Sequence, residues 1–389
     1  MAAPLVVPAS SGSGRPFLTT GPAGTVYLSW TEPAPDGRHC LRYAAWTGSE
    51  WGDARTIVEG ANWFVNWADV PQLAVPTPDR LVAHVLPKSG PGTYAYDVAV
   101  HQSLDGGATW TGPLVPHTDG TMTEHGFVSY VPLNETRLGL VWLDGRAMAG
   151  SMAGPEHDHA ATSGAMSLRF AALTPAGTFE EAAVLDLRTC ECCPTAAVHT
   201  AQGPAIFYRD RGADERRDIV VVRRLGDAWT VPTPVHDDGW IIAGCPVNGP
   251  AADAAGDDVI VAWYTQANGQ PKVQLARSGD AGATFSPPIL IDGNRPLGRV
   301  DTLLRPDGTA LVLWLQEGED GGRLLLRAVS ADGTVGAVRL VAEMSMGRTS
   351  GVPRMALTPE GTVLVVWTDA GPASDGELAT RVRSLALSE

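Results

Sequence analysis

An apolar strand that ends near a tryptophan or tyrosine recurs seven times along the 389-residue chain, and no other feature limits its possible folds as strongly. The copies lie at residues 26–30, 81–86, 138–143, 205–208, 259–264, 310–315 and 363–367. Aligned tryptophans are 51 residues apart from Trp263 to Trp314 and 53 apart from Trp314 to Trp367. A period near fifty residues is typical of propellers and repeat arrays.

Each repeat has the strand pattern of a propeller blade. A short strand and a turn precede the apolar strand, and a third strand, a tight turn and a fourth strand follow it. The seventh repeat ends near Leu387 without a fourth strand, whereas residues 5–7 form a lone strand before the first repeat. We therefore predict an all-β, seven-bladed β-propeller of four-stranded antiparallel blades, one domain over residues 1–389. Pairing of residues 5–7 with the final strand near residues 379–385 closes the ring and removes its open edges.

Two tight turns share the pattern S-x-D-x-G-x-T followed by an aromatic residue, at 103–110 and 278–285, and weaker copies lie at 174–179, 226–229 and 330–334. Asp and Ser side chains bond to the backbone of such turns, Gly supplies positive φ, and the aromatic ring packs between strands. The turns resemble the Asp-box (BNR) repeat of sialidase-like propellers. Sialidases have six blades, so the resemblance covers the architecture but differs in blade number. The box itself is a structural turn.

The segments that lead into the first strand of each blade, called lead-in segments here, share one face of the ring and lie near its axis. They lie at residues 13–15, 62–69, 123–125, 190–193, 244–245, 299–301 and 348–354. We expect them to converge on one pore mouth. A long loop at about residues 144–165 is expected to overhang it and contains Met148, Met152, His157, Asp158 and His159.

Four of the five cysteines lie in adjacent lead-in segments: Cys190, Cys192, Cys193 and Cys245. Thiolates from two blades, with His125 one blade away, suit a soft or borderline ion. Copper or zinc is therefore the expected cofactor. Two alternatives stay open, namely two disulfides among these four cysteines, which have three possible pairings, and a reactive redox thiol pair.

The resemblance to sialidases implies an arginine cluster for a substrate carboxylate and acidic residues for catalysis. Arg15, Arg299 and Arg354 are candidates for the cluster, and Asp69 and Glu124 are candidates for the acid and base. Each also has a structural interpretation as part of an ion pair or hydrogen bond between blades. The Arg-Ile-Pro signature of the family is missing, since residues 15–17 read Arg-Pro-Phe.

Residues 123–127, the C-x-C-C run and residues 244–250 together resemble a bacterial group of exported Asp-box proteins. The resemblance and the cysteine cluster favour a periplasmic or secreted protein whose signal peptide has been replaced by an initiator Met. A cytosolic protein is the alternative, because the first residues lack the apolar region of a signal peptide.

The formal charge of -15 repels phosphate backbones, so nucleic acid is an unfavourable partner. No apolar run approaches the length of about 18 residues that a membrane span requires. We predict an exported propeller whose pore mouth binds a metal ion through cysteines, as a binding or redox-linked module. The alternatives are a sialidase-like glycoside hydrolase acting on an acidic sugar and a partner-binding scaffold with structural disulfides. The expected partners are a metal ion or small molecule at the mouth, or another protein.

Overall fold

The protein forms seven antiparallel sheets arranged as the blades of a β-propeller, which confirms the predicted fold class. The structure is a computed structural model and describes residues 2–149, 164–372 and 378–387. Within these ranges the helices are four short 3-10 turns, at Pro22–Gly24, Arg146–Met148, Ala267–Gly269 and Arg348–Ser350. None of the described helices has the length and apolar character needed to cross a membrane.

The strands are numbered in chain order, and blade numbers follow the repeats. Blades 1 and 2 contain β2 (Gly14–Thr20), β3 (Val26–Pro33), β4 (His39–Ala45), β5 (Arg55–Gly60), and β6 (Leu73–Ala74), β7 (Leu81–Val85), β8 (Ala99–Ser103), β9 (Thr111–Leu114). Blades 3 and 4 contain β10 (His125–Pro132), β11 (Leu138–Asp144), β12 (Met166–Leu173), β13 (Phe179–Thr189), and β14 (Ala196–Thr200), β15 (Gly203–Arg209), β16 (Ile219–Leu225), β17 (Ala228–Trp229), β18 (Thr233–Pro234). Blades 5 and 6 contain β19 (Ala251–Ala255), β20 (Asp258–Thr265), β21 (Lys272–Ser278), β22 (Ile289–Asp292), and β23 (Pro296–Leu304), β24 (Ala310–Glu317), β25 (Gly322–Val329), β26 (Val335–Met344). Blade 7 contains β27 (Arg354–Leu357), β28 (Val363–Pro372), β29 (Leu378–Leu387) and β1 (Ala2–Leu5).

The N-terminal strand closes the ring, but it starts earlier than the sequence predicts. Strand β1 pairs with residues 384–387 of β29, whereas residues 5–7 were expected to pair with residues 379–385. Val6 is outside the strand and 89% exposed. Pro4 fits the observed pairing because β1 is an edge strand, where a residue without an N–H group is tolerated on the side that faces away from the ladder.

The tryptophans that end the second strands form the core between blades. Trp30, Trp263 and Trp314 are fully buried. Their indole N–H groups donate to carboxylates, as Trp30 does to Glu32 at 2.8 Å and Trp314 to Asp292 at 2.8 Å. A buried indole needs such a partner for its one polar atom. The tryptophans that recur in the sequence are therefore the residues that recur in the core from blade to blade.

The two turns that resemble an Asp box have the hydrogen bonds that their residues predict. Asp105 Oδ1 accepts from Ser103 Oγ at 2.8 Å and from the Thr109 N–H at 2.9 Å, and Ser103 Oγ accepts from the Gly107 N–H at 2.8 Å. The second box, at residues 278–284, repeats these distances to within 0.1 Å. Gly107 has φ of 81°, and a Cβ there would lie 2.1 Å from the Tyr43 hydroxyl oxygen, so only glycine fits this position.

Candidate functional site

The backbone of the first strands bends sharply at the mouth of the pore. Arg15, Phe127 and Arg299 each lie in a bulge of their strand and adopt positive φ, at 57°, 52° and 52°. Residues other than glycine rarely adopt this region, at a cost of about 1–3 kcal/mol each. The surrounding blades impose the conformation, as where the Arg299 N–H donates to Asn248 Oδ1 of the preceding blade at 2.8 Å.

The lead-in segments of blades 4 and 5 bring the cysteines together. The Sγ atoms of Cys190, Cys192 and Cys245 all lie within 4.8 Å of one another. Cys192 and Cys245 form a disulfide between the two blades, with their Cα atoms 6.1 Å apart. Cys190 and Cys193 are free thiols, and their Sγ atoms are 3.1 Å apart. One disulfide and one thiol pair therefore lie side by side.

The two cysteine pairs differ in their access to solvent. Cys190 and Cys193 are each 1% exposed, whereas Cys192 and Cys245 are partly exposed. The disulfide is therefore more accessible to solvent than the thiol pair. A reductant in solution reaches the disulfide first.

Charged side chains of blade 4 surround the buried thiols. Arg217 donates from Nη1 to Cys190 Sγ at 3.3 Å and to Glu191 Oε2 at 2.7 Å. Glu191 also pairs with Arg211, and both arginines contact Glu215 at 2.8 Å. All but Glu215 are at least 95% buried. Sequence reasoning missed this network, although its signal is the arginine-rich loop between β15 and β16 of the same blade.

The network favours the thiolate form of one cysteine. Burial raises the pKa of Cys190, but the hydrogen bond from Cys193 and the charge of Arg217 outweigh burial and lower the pKa to about 7. Burial and the same hydrogen bond raise the pKa of Cys193 well above its ordinary value. Cys190 is therefore the stronger nucleophile and metal ligand of the pair.

The imidazole of His125 lies in a different cluster from the cysteines. Among the described residues, its possible metal-binding partners are the group Asp97 and His117 and the group Asp119 and Asp144. His125 opens β10 and pairs in register with Asp144 of β11 in the same blade. Its ring stacks on that of His117, with centroids 3.9 Å apart. The structure therefore does not bring His125 to the thiols.

Asp69 and Glu124 share one buried tyrosine. The Tyr96 hydroxyl lies 2.9 Å from Asp69 Oδ2 and 2.7 Å from Glu124 Oε1, and the three residues are at most 5% exposed. A hydroxyl carries one proton, so both contacts are hydrogen bonds only when a carboxyl group carries a second proton. Burial raises the pKa of Asp69 to about 7 and that of Glu124 to about 8.

The predicted arginines are largely occupied by protein groups. Arg299 stacks on Trp67 at 4.7 Å and donates to the carbonyls of Gly347 and Gly351. Arg354 lies 3.5 Å from Asp301.

Arg15 is the third of these arginines, and its side chain donates to the Thr31 hydroxyl. Burial lowers the pKa of Arg15 and of Arg299 to about 10. Within the described ranges, neither of these two has a carboxylate partner.

Part of the loop that we expected to overhang the mouth lies outside the described residues, namely Met152, His157, Asp158 and His159. Met148 is described, and it is buried in the apolar cluster against which Trp67 packs. Its thioether is therefore part of the core beside blade 3.

The fold has counterparts among solved structures, all at low sequence identity. The BP39L lectin from Burkholderia pseudomallei matches with a TM-score of 0.61 at 12% identity, covering 96% of both chains. The polysaccharide lyase Uly1 matches with a TM-score of 0.54 at 11% identity, covering 95% of this chain and 89% of the other. The α-L-arabinofuranosidase Arb93A from Fusarium graminearum matches with a TM-score of 0.51 at 14% identity, covering 97% and 94%.

Comparison of the amino-acid sequence with protein families and curated proteins finds no relative. The chain matches no protein-family model. It also matches no curated protein. At 11–14% identity, the structural likeness shows the fold alone: the chain has a propeller architecture that it shares with a lectin, a polysaccharide lyase and a glycosidase.

Proposed function

We propose that the pore mouth is a redox-linked metal site, which binds a copper or zinc ion through cysteine thiolates when the Cys192–Cys245 disulfide is reduced. One observation carries the proposal: the Sγ atoms of Cys190, Cys192 and Cys245, from two adjacent blades, lie within 4.8 Å of one another. Thiolates bound to one tetrahedral ion at about 2.3 Å are about 3.8 Å apart, so a small adjustment suffices. Cys193 is available as a fourth ligand.

The surroundings of the cluster support thiolate ligands. Metal binding requires deprotonated cysteines, and Arg217 at 3.3 Å from Cys190 Sγ stabilises a negative charge there. Three or four thiolates form a soft ligand set, which suits copper(I) and zinc. The rigid blades hold the sulfur atoms in place without the ion, so folding does not depend on the metal.

The disulfide and the metal exclude each other. Sulfur atoms joined in the Cys192–Cys245 bond are not thiolates, so a dithiol reductant must first supply two electrons and two protons to this bond. Reoxidation forms the disulfide again and removes two ligands from the ion. Metal binding thereby follows the redox state of the surroundings, in the periplasm or outside the cell.

Copper content per chain after anaerobic loading with copper(I) tests the proposal. We expect one ion per reduced chain, and about none when Cys192 and Cys245 are bonded. Cys192→Ser removes one soft ligand and should abolish most of the uptake. Cys40→Ser is the matched control, because Cys40 is buried in blade 1, and it should retain full uptake. Equal uptake by the oxidised and reduced proteins would overturn the proposal.

A scaffold with a structural disulfide, which binds a protein partner, is the simplest competing function. The Cys192–Cys245 bond joins residues 53 positions apart, and a loop of this size corresponds to about 4 kcal/mol of stabilisation in the chain-entropy account. Under that function the reduced protein melts at a lower temperature and takes up no copper. Melting and copper content measured on the same reduced sample therefore separate the two functions.

A glycoside hydrolase acting on an acidic sugar is the second candidate, and Arg15 and Arg299 favour it because partly buried arginines with no carboxylate partner among the described residues suit an anionic ligand. Against it, Asp69 and Glu124 are at most 5% exposed, and Arg299 already binds backbone carbonyls. We expect no cleavage of a fluorogenic sialoside. Turnover that Arg299→Ala and Arg354→Ala both remove would reverse the ranking of the two functions.

A further inference from the structure

A group of buried and partly buried imidazoles and carboxylates forms a second cluster, outside the thiol site. It consists of Asp97, His117, Asp119, His125 and Asp144, and we call it the Asp–His cluster. His125 and Asp144 are fully buried, and the side chain of Asp119 is 9% exposed. The cluster lies where blades 2 and 3 meet, beside the 3-10 turn Arg146–Met148.

The contacts of His125 show which ring nitrogen carries a proton and which one can bind a metal ion. Its Nδ1 lies 3.3 Å from the Tyr96 carbonyl oxygen and 3.4 Å from Asp97 Oδ1, so Nδ1 carries a proton and donates it. Its Nε2 faces Asp119 Oδ2 at 3.3 Å and Asp144 Oδ2 at 3.8 Å. In the part of the chain that the structure describes, His125 Nε2 makes no hydrogen bond, and Asp119 Oδ2 makes none although it is ion-paired with Arg146 at 3.1 Å.

The distances between these atoms are those between ligands of one ion. Imidazole nitrogens and carboxylate oxygens lie about 2.1 Å from zinc, and ligand atoms of a tetrahedral site are then about 3.4 Å apart. The observed 3.3 and 3.8 Å bracket that value. A histidine that donates from its other nitrogen to a carboxylate, as His125 does to Asp97, is the usual arrangement of a metal-binding histidine.

His117 supports the site without belonging to the ligand set. The Val98 N–H donates to His117 Nε2 at 3.3 Å, so the proton of this ring is on Nδ1. That Nδ1 lies 3.6 Å from Asp119 Oδ2, and the ring lies flat against His125. His117 therefore orients Asp119 and His125 toward the same point.

We propose that His125, Asp119 and Asp144 bind a divalent transition-metal ion of the zinc class, with Asp97 and His117 holding the ligands in place. One imidazole and two carboxylates are nitrogen and oxygen ligands, which suit zinc and its neighbours rather than copper(I). Three protein ligands leave a fourth position for water or a bound molecule. The site is independent of the thiol cluster, because it shares no ligand with it.

A cation already occupies this position in the structure, which shows that the carboxylates favour one. The Arg146 guanidinium lies 3.1 Å from Asp119 Oδ2 and 2.6 Å from Asp144 Oδ2, and Arg169 lies 3.5 Å from Asp144. The Arg146 side chain is 28% exposed, so part of it already contacts solvent. Arg146 therefore competes with the ion, and its removal should strengthen binding.

Cobalt(II) binding to the full chain with the Cys192–Cys245 bond intact tests the site, because cobalt replaces zinc, its absorption reports the ligand type, and the bonded cysteines are not available as ligands. We expect one bound cobalt whose spectrum lacks the intense thiolate charge-transfer band that sulfur ligands produce. Asp119→Asn should weaken binding by at least about tenfold, and Arg146→Gln should strengthen it by about tenfold. A gain of affinity in Arg146→Gln cannot result from misfolding.

His199→Gln is the matched control, because it removes one imidazole from an exposed position outside the cluster, and its affinity should equal that of the wild type. Melting curves without metal identify any variant that does not fold. The proposal is overturned if the wild type and Arg146→Gln both bind no cobalt. It is also overturned if the bound cobalt shows the thiolate band and Asp119→Asn binds it as tightly as the wild type.

Discussion

At the scale of single residues, Tyr96 links two acids that the sequence marks only as candidates. Asp69 and Glu124 precede the first strands of blades 2 and 3, and both carboxyl groups meet the same hydroxyl. Asp69 also accepts the Phe127 N–H at 2.8 Å. These contacts connect two blades near the mouth. Both are hydrogen bonds only when one of the two carboxyl groups is protonated.

This proton makes stability depend on pH. Burial raises the pKa of Asp69 from 3.8 to about 7 on folding, so between these values the folded protein holds more protons than the unfolded chain. The contribution is fully present below pH 3.8, and stability falls as pH rises through about 7.

We expect the wild type to lose about 1–3 kcal/mol of unfolding free energy between pH 5 and pH 8 through this group. Asp69→Asn mimics the protonated acid and should flatten that dependence, as measured by urea unfolding at both pH values. The exposed control Asp320→Asn should keep the wild-type slope. If Asp69→Asn lost as much unfolding free energy between pH 5 and pH 8 as the wild type, Asp69 would not be the source of the pH dependence.

Sequence reasoning could assign the candidate residues to lead-in segments but could not say which neighbour each side chain faces. His125 was expected beside the cysteines, and its ring instead stacks on His117. A lead-in segment lies between two blades, and the sequence does not show toward which blade its side chains point. The bulge at residues 126–129 further changes the alternation of side chains.

At the scale of elements, the Asp-box turns were predictable because their contacts are local. The hydrogen-bonding groups of each box lie two to four residues apart, so the pattern of residues determines the hydrogen bonds. Strand β1 shows the opposite case. Its partner lies more than 370 residues away, and residues 2–7 offer several apolar registers, so the partner strand was predicted correctly whereas the bounds of the paired segments were not.

Loss of an Asp-box carboxylate should destabilise the protein. Asp105→Ala removes the acceptor for the Ser103 hydroxyl and for the Thr109 backbone and hydroxyl groups. We expect a lower midpoint of urea unfolding than that of the wild type, because these groups lose their hydrogen-bond acceptor. Asp320→Ala, at an exposed residue outside these turns, should unfold at the same urea concentration as the wild type. Equal stability of the two variants would contradict the role of the box.

At the scale of the whole molecule, the fold is a ring of seven similar blades that is closed by pairing its two ends. The aromatic period alone predicts this architecture, because each blade must bury its faces against its neighbours. The function was less accessible from the sequence. The cysteines were found from their spacing, but the arginines around them come from a loop whose contacts depend on the complete ring.

Removal of β1 should open the ring and expose an edge strand. We expect deletion of residues 1–5 to lower the melting temperature by at least about 5 °C, because residues 384–387 lose their partner and Leu5 loses its packing against blade 1. Val6→Ser is the control, since Val6 is 89% exposed, and it should melt like the wild type. A truncated protein that melts with the wild type would show that β1 does not hold the ring closed.

X-ray absorption at the copper edge of the reduced, copper(I)-loaded protein identifies the atoms bound to the ion. It is therefore the most direct test of the proposed thiolate metal site. We predict that sulfur atoms from Cys190, Cys192 and Cys245 make up most of the atoms bound to the copper ion. In Cys192→Ser, the ion or one of these sulfur atoms should be lost. A first shell of nitrogen and oxygen atoms alone, unchanged in Cys192→Ser, would contradict a thiolate metal site at the pore mouth.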